Sequence, residues 1–415
     1  MRKSNNPNIR FHAYTEDWKE QRLDEIVEFS KGKGYSKKDL QKSGCPIILY
    51  GRLYTDYEFA IDDVDTFAEE KDDSVLSKGN EVIVPASGES AADIARASAV
   101  TKPGMLLGGD LNILKPADCI QPEFLALSVS NGSIKKELAR RAQGGTIVHL
   151  HNSDMEDLSV SYPSYREQTD IVELVHDIDS LLKSQKNKIE KLTQVYKGML
   201  DKLFPEKNTD IPRLRFTEFA NEWRRCKLGD LVFRIERKNT ENESDLPLTI
   251  SAQYGLIDQN VYFDKRVASR DVSNYYLVYN GEFAYNKSSS DSSPYGVVKR
   301  LDLYEKGVLS TLYIVFGIKD SSAVDSDFLT LFFESDRWHR EIAIRASEGA
   351  RNHGLLNIST TDFFDMDMMI PESLEEQKAI GKLFVSLNQL INLHQQKLEQ
   401  LQHIKSALLD KMFVS

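Results

Sequence analysis

The sequence predicts an α+β protein of two repeat-related bodies, small and rich in strand. Each body is followed by one of two long helices, antiparallel and coiled-coil-like, about a pseudo-two-fold axis. Three observations carry this. From Arg166 to Phe204 the residues Ile171, Leu174, Val175, Ile178, Leu181 and Leu182 recur at spacings of three and four. Ile189, Leu192, Val195, Met199, Leu200, Leu203 and Phe204 continue the pattern, which is the apolar stripe of one helix face. Adding 209 to each number lands on an apolar residue every time, from Ile380 to Phe413. Finally, Pro7, Ile9-Arg10-Phe11, Trp18 and Leu23 return 205 residues later as Pro212, Leu214-Arg215-Phe216, Trp223 and Leu228.

Taken in order, the first body (1–162) opens on that Trp-anchored start. Short apolar runs bounded by Gly and Pro predict strands at Ile47 to Tyr50, Glu81 to Val84, Leu111 to Leu114 and Leu158 to Val160. Pro122 to Ala142 reads as helix, interrupted near Asn131-Gly132. The central long helix occupies 163–207. From Arg166 to Phe204 it contains no Pro and one Gly, Gly198, and at about 1.5 Å per residue it spans about 60 Å. The second body (208–370) predicts strands at Leu248 to Ser251, Glu282 to Tyr285, Leu312 to Phe316 and Met366 to Ile370, and a helix from Asp327 to Ala346. The C-terminal long helix fills 371–415, with Gly381 its single glycine. The best local repeat pairs Arg141-Ala142-x-x-Gly145-x-x-x-His149 with Arg345-Ala346-x-x-Gly349-x-x-x-His353. A long helix with one narrow apolar face needs a partner, and the other copy is the natural one. Along the stripe the seam runs through Leu182, Gln185 and Ile189 and through their mates Ile391, His394 and Leu398. The polar pair Gln185 and His394 breaks it, which costs stability and fixes register.

Composition narrows the class. With 415 residues, 40% hydrophobic and 28% charged, the chain is a soluble globular protein of two or three domains. Cys45, Cys119 and Cys226 form no C-x-x-C, which fits a reducing, cytoplasmic setting. No leader-like start and no run of 18 apolar residues points to a membrane. The net charge of −11 disfavours nucleic acid on its face, but it is uneven. Asp56 to Asp73 holds nine acids against Lys71, while Lys31 to Lys42 holds five lysines against Asp39.

Catalytic signatures are missing. Gly32-Lys33 and Gly381-Lys382 lack the Ser or Thr of a phosphate loop, and no Gly-x-Ser-x-Gly elbow occurs. Glu69-Glu70-Lys71 has the E-x-K spacing of some nucleases but lies in the acidic run. His149-x-His151 lacks an evident third ligand, so no metal is expected. A repeat of two bodies without catalytic signatures, on a long spacer, suits a duplex with two half-sites.

At this point the chain resembles the specificity (S) subunit of type I restriction–modification systems over nearly its whole length. The residues that carry the resemblance are Pro163-x-x-x-Glu167-Gln168 and Pro371-x-x-x-x-Glu376-Gln377, each opening a long helix. With them go the Trp18 to Leu23 and Trp223 to Leu228 starts, Gly79 and Gly281 before strands, and the Leu-x-x-Leu/Met-Phe helix ends. The first body departs at Val84-Pro85-Ala86-Ser87-Gly88, where the family often has Arg or Lys before Ser-Gly; the second has Asn286-Lys287-Ser288. The resemblance implies that each body is a target-recognition domain reading half of a bipartite, asymmetric double-stranded DNA site. It implies two modification subunits that bind S-adenosylmethionine, and restriction subunits that use ATP and Mg. It implies no cofactor and no catalytic centre on this chain. The alternatives are a DNA-modifying enzyme, a nuclease or methyltransferase with an unrecognised site, and a coiled-coil structural protein.

Three stretches are expected to touch DNA. Lys31, Lys33, Lys37 and Lys38 flank Gly32 and Gly34 in a flexible basic loop suited to phosphates. Ser87, Gly88 and Ser90, with Asn286, Lys287, Ser288 and Ser289 in the second body, form small polar loops after strands, suited to base edges. Arg140, Arg141, Gln143, Gly145, Thr146 and His149 close a basic helix, with Arg345, Arg351, Asn352 and His353 opposite.

Overall fold

Each long helix is one unbroken element, Tyr165–Leu203 and Leu374–Met412, thirty-nine residues apiece. Acidic residues fill the first turns (Glu167; Glu375 and Glu376) and Lys202 and Lys411 the last, which complements the helix dipole at both ends. The computed structural model describes residues 6–144, 147–206, 209–265, 267–291, 293–346, 354 and 356–414, with backbone only at 92, 143 and 144. Two compact units result, residues 1–186 with 396–415, and residues 187–395. Each unit therefore holds the start of one long helix and the end of the other.

In the first unit a five-stranded sheet runs in the order Val27–Lys31, Leu111–Pro116, Glu81–Pro85, Ser98–Val100, Ala60–Ile61. Its centre sets Leu114 opposite Phe29 on one side and Val82 on the other. Glu81–Pro85 is buried at every position, as expected of a central strand. A second sheet pairs Cys45–Ile48 in parallel with Pro103–Leu107, and a small one sets Val148–His149 between Gln143–Gly144 and Ser87–Gly88. The predicted helix is interrupted where expected, into Pro122–Ser130 and Gly132–Arg141.

The second unit is built on Val232–Arg234, Ile314–Ile318, Phe283–Asn286 and Val297–Arg300, all antiparallel. Here the helix predicted across Asp327 to Ala346 is two helices, Ser326–Glu334 and His339–Arg345. The break is made by Ser335, whose hydroxyl donates to Phe332 O at 2.6 Å, and by Trp338, whose indole N–H donates to Phe333 O at 3.0 Å. Gly79 and Gly281 both take positive φ (90° and 85°) in the turn before their strand, which favours glycine there. In each case a carboxylate at the start of the strand or just before it, Glu81 or Glu282, accepts backbone N–H from the residues leading into it: Lys78 and Gly79 for the first, Tyr279 for the second.

Both cores centre on the repeat motifs. Trp18 stacks edge-on to Phe124 at 5.8 Å, and Phe124 meets Phe413 at 5.7 Å. Trp223, Phe328 and Phe204 repeat this at 5.7 and 5.5 Å. The aromatic that ends each long helix thus completes the core around the other body's tryptophan. No helix among the described residues is long and apolar enough to cross a membrane.

Candidate nucleic-acid interface

The geometry begins with what anchors each body. Arg10 donates through Nε and Nη2 to the two carboxylate oxygens of Glu167 at 2.6 and 2.8 Å, and Trp18 Nε1 reaches the same carboxylate at 3.4 Å. Arg215, Glu376 and Trp223 repeat the arrangement at 2.7, 2.7 and 3.3 Å. Hydrogen bonding to Glu167 and to Glu376 holds the two guanidinium pKa values above their usual value. The neighbouring glutamine completes each lock. Gln168 accepts from Gln121 N and donates to Cys119 O and Pro163 O; Gln377 accepts from Asp325 N and donates to Pro371 O. Sequence reasoning flagged Glu-Gln but not its arginine, although Arg10 and Arg215 sit inside a repeated Ile/Leu-Arg-Phe.

The basic loop is built rather than flexible. Gly32 approaches the Gly108 carbonyl so closely that a Cβ would sit 1.9 Å from it, and Gly109 N donates to Gly34 O at 2.6 Å. Lys37 and Lys38 ride on the turn Lys37–Asp39, capped by Ser36. The acidic run folds against this loop: Lys33 pairs with Asp73 at 3.3 Å, and Lys71 with Asp39 at 2.8 Å. The Lys71 bond, with Ser36 N–H, lowers the Asp39 pKa to about 2. Lys31, Lys37 and Lys38 are exposed and carry no acidic partner among the described residues.

The polar tips divide. Ser87 and Gly88 are buried in the small sheet, Ser87 O accepts from the Tyr54 hydroxyl at 2.5 Å, and Ser90 caps Asp93 N. Ser87 and Gly88 are therefore shielded in the sheet and the Ser90 hydroxyl is engaged by Asp93, so none of the three presents the free base-edge donor expected there. His149 and Glu89 are the exposed side chains there. In the second unit Asn286 accepts from Ser288 N, and Ser289 donates through N and Oγ to Gly354 O, leaving Lys287 half-buried and Ser288 exposed.

The helix ends also divide. Arg140 is 78% exposed. Arg141 is not a free reader: it bonds Glu137, Asp154 O and the Asp157 carboxylate. Arg345 does the same with Glu341 at 2.5 Å and Asp365 O at 2.8 Å. The repeated Arg-Ala is a structural staple in both bodies. Gly145, Thr146, Arg351, Asn352 and His353, and the Gln143 side chain, lie outside the described residues. The ladder also shifts the repeat. Leu150 N bonds Ala86 O and Leu356 N bonds Lys287 O, the donors 206 and the acceptors 201 residues apart, whereas His149 and His353 differ by 204. Of the seam residues, Gln185 is buried at 3% exposure, and Leu182, Ile189, Ile391, His394 and Leu398 are half-buried.

Comparison with known proteins is consistent with this geometry. Residues 15–194 match the family described as type I restriction modification DNA specificity domain. The type I restriction enzyme MjaVIII specificity subunit of Methanocaldococcus jannaschii is 22% identical over 412 residues, 95% of this chain and 92% of that one. The putative MjaX specificity subunit of the same organism is 23% identical over 419 residues, with the same shares covered. The crystal structure of a type I restriction–modification S subunit from M. genitalium superposes with a TM-score of 0.57 at 16% identity, covering 98% of this chain and 99% of that one. A chain from a structural study of complex assembly and conformational transition in a type I system gives 0.55 at 14% identity, covering 96% and 98%.

Proposed function

We infer that the chain is a type I restriction–modification specificity subunit, the DNA-reading subunit of a multi-subunit complex; the family match over residues 15–194 and two specificity-subunit relatives aligned along 95% of the chain support this. Each unit reads one half of a bipartite, asymmetric duplex site, and the long helices set the distance between the halves. The observation that carries this is the duplicated lock: Arg10–Glu167–Trp18 and Arg215–Glu376–Trp223 fix two bodies of like build to the starts of two like helices. In the first unit Lys31, Lys37, Lys38 and Arg140 suit phosphates and His149 a base edge. In the second, Lys287 and Ser288 occupy the tip where the first has Ala86 and Ser87, so the two readers carry different chemistry. Gln185 and His394 set helix register and, through it, the spacer.

Two modification subunits, which bring S-adenosylmethionine, dock on the helices, and restriction subunits add the ATP- and Mg-dependent cleavage. Exposed apolar positions support paired docking. Leu181 and Ile404 in the first unit are 50% and 51% exposed, and their repeat mates Leu390 and Val195 in the second are 40% and 48% exposed. The chain itself has no catalytic role and works in the cytoplasm. Exchange of residues 24–162 for the body of another family member tests the reading. Methylation sequencing of a host carrying the whole complex then shows one half-site changed and the other kept. A change in both halves overturns the two-reader arrangement, and turnover by the purified chain with Mg or S-adenosylmethionine overturns the non-catalytic one.

A further inference from the structure

The two units differ at a place where the repeat leads one to expect likeness. In the first unit Phe413 and Val414 close over Ser128, Ser133 and Ser161, Val414 O accepts from Ser133 N at 2.9 Å, and about 10 Å³ is left free. The repeat mates are Phe204, Pro205, Phe332, Arg337 and Met369. There they line an open cleft of about 470 Å³, a size that takes two or three side chains.

The floor of the cleft is apolar, made by Phe204, Phe332, Met368 and Met369, and Ile344 stands at its edge 64% exposed. Thioethers adapt to varied apolar partners. Three of the acids lining the cleft are already engaged: Glu206 by Arg213 at 2.8 Å, Glu341 by Arg345 at 2.5 Å, and Asp367 by Lys227 at 2.9 Å. Two of the three arginines are not. Arg225 and Arg340 are exposed and have no acidic partner among the described residues. Arg337 donates through Nη2 to Asp201, while its buried Nε has no hydrogen-bond acceptor and only Asp336 at 3.9 Å. The unmatched charge facing the cleft is therefore positive.

We propose that this cleft takes an acidic segment of a partner polypeptide, with carboxylates on Arg225 and Arg340 and one large apolar side chain on the Phe/Met floor. A polypeptide fits better than a small anion, because the mate cleft in the first unit is filled by backbone and an apolar side chain. Arginine over an apolar floor is also the composition of a protein-binding hot spot. The proposal rests on the reading that the chain works inside a complex, and is independent of how it reads DNA.

The test places a photocrosslinker in the cleft of the full chain, Ile344→p-benzoylphenylalanine, co-expressed with its cognate modification subunits. The expected product is an adduct to a partner-subunit peptide of net negative charge. Arg225→Glu with Arg340→Glu then lowers its yield roughly tenfold, the scale of a like-charge clash at an interface, with the melting temperature unchanged. An adduct insensitive to that reversal overturns the proposal. So does an adduct to DNA, to a second copy or to the chain itself, or no polypeptide adduct at all. Selective duplex binding by the same complexes is measured alongside; its loss counts against the DNA-reading function and leaves the cleft assignment standing.

Discussion

Glu167 is 1% exposed and Arg10 15%, so their bidentate pair is largely shielded from water. The pair keeps the first turn of the long helix against the chain's start, and Trp18 supplies a third donor to the same carboxylate. Glu167→Leu strands the guanidinium, and removal of one partner from a buried pair costs about 3–5 kcal/mol. Urea unfolding followed by tryptophan fluorescence, with Trp223 and Trp338 replaced by Phe so that Trp18 alone reports, measures the loss. Adding Arg10→Leu recovers part of it, because an apolar pair no longer leaves a charge unmatched. The same substitutions at Arg215 and Glu376 act on the second unit. A loss under about 1 kcal/mol places the lock among solvent-screened surface pairs.

At the scale of elements, the long helices matter most at their ends. Phe204 and Phe413 are each 2–3% exposed in cores built around a tryptophan. Phe to Ala at such a site costs about 3–5 kcal/mol. The location is the informative part. Phe413→Ala raises hydrogen exchange in residues 1–186, and Phe204→Ala raises it in residues 187–395, although the helix ending at Phe204 begins in the first unit. The basic loop gives a second prediction at this scale. Lys31, Lys37 and Lys38 are its lysines with no acidic partner among the described residues, and neutralised phosphates release counterions. Replacing all three with Ala flattens the plot of log K against log salt by roughly 2–3 units for every duplex sequence alike. Lys33→Ala changes it less, since Asp73 already faces that ammonium. An unchanged slope in the triple variant removes the loop from the DNA surface.

At the scale of the whole molecule, period and repetition were legible. The stripe at spacings of three and four marked both helices to within a few residues, and the offset of 209 carried the first onto the second. The strand positions followed from apolar runs between glycines, and the Asn131-Gly132 break from turn chemistry. What the sequence did not disclose was which polar side chains are already engaged. Ser87 and Ser90 read as free donors, yet one lies in a sheet and the other caps a helix. Arg141 and Arg345 read as DNA contacts, yet each is held by a glutamate one helical turn earlier and by groups farther along the chain, Asp154 and Asp157 for the first and Asp365 for the second. The break at Ser335 to Trp338 has no Gly or Pro to announce it; it depends on where an indole is buried. The Ser90–Asp93 cap and the Glu–Arg pairs are local, but the burial of Ser87 and the Asp154, Asp157 and Asp365 contacts are tertiary, and no local pattern encodes those.

One backbone hydrogen bond has a topological meaning. Ile9 N donates to Lys411 O at 3.0 Å, and its repeat counterpart is Leu214 N to Lys202 O, also at 3.0 Å. In the second case eleven residues, 203–213, carry the chain directly from one partner to the other. Joining Ser415 to Met1 puts twelve residues, 412–415 followed by 1–8, across the first. The same backbone bond thus ties the start of each body to the last turn of a long helix, and in the second case the chain between the two partners is already continuous. A variant with its old ends fused without a linker and its new ends opened between Lys207 and Asn208 folds with an unchanged circular dichroism spectrum and selects the same duplex. Loss of either in that variant means that the present ends do something the ladder does not record.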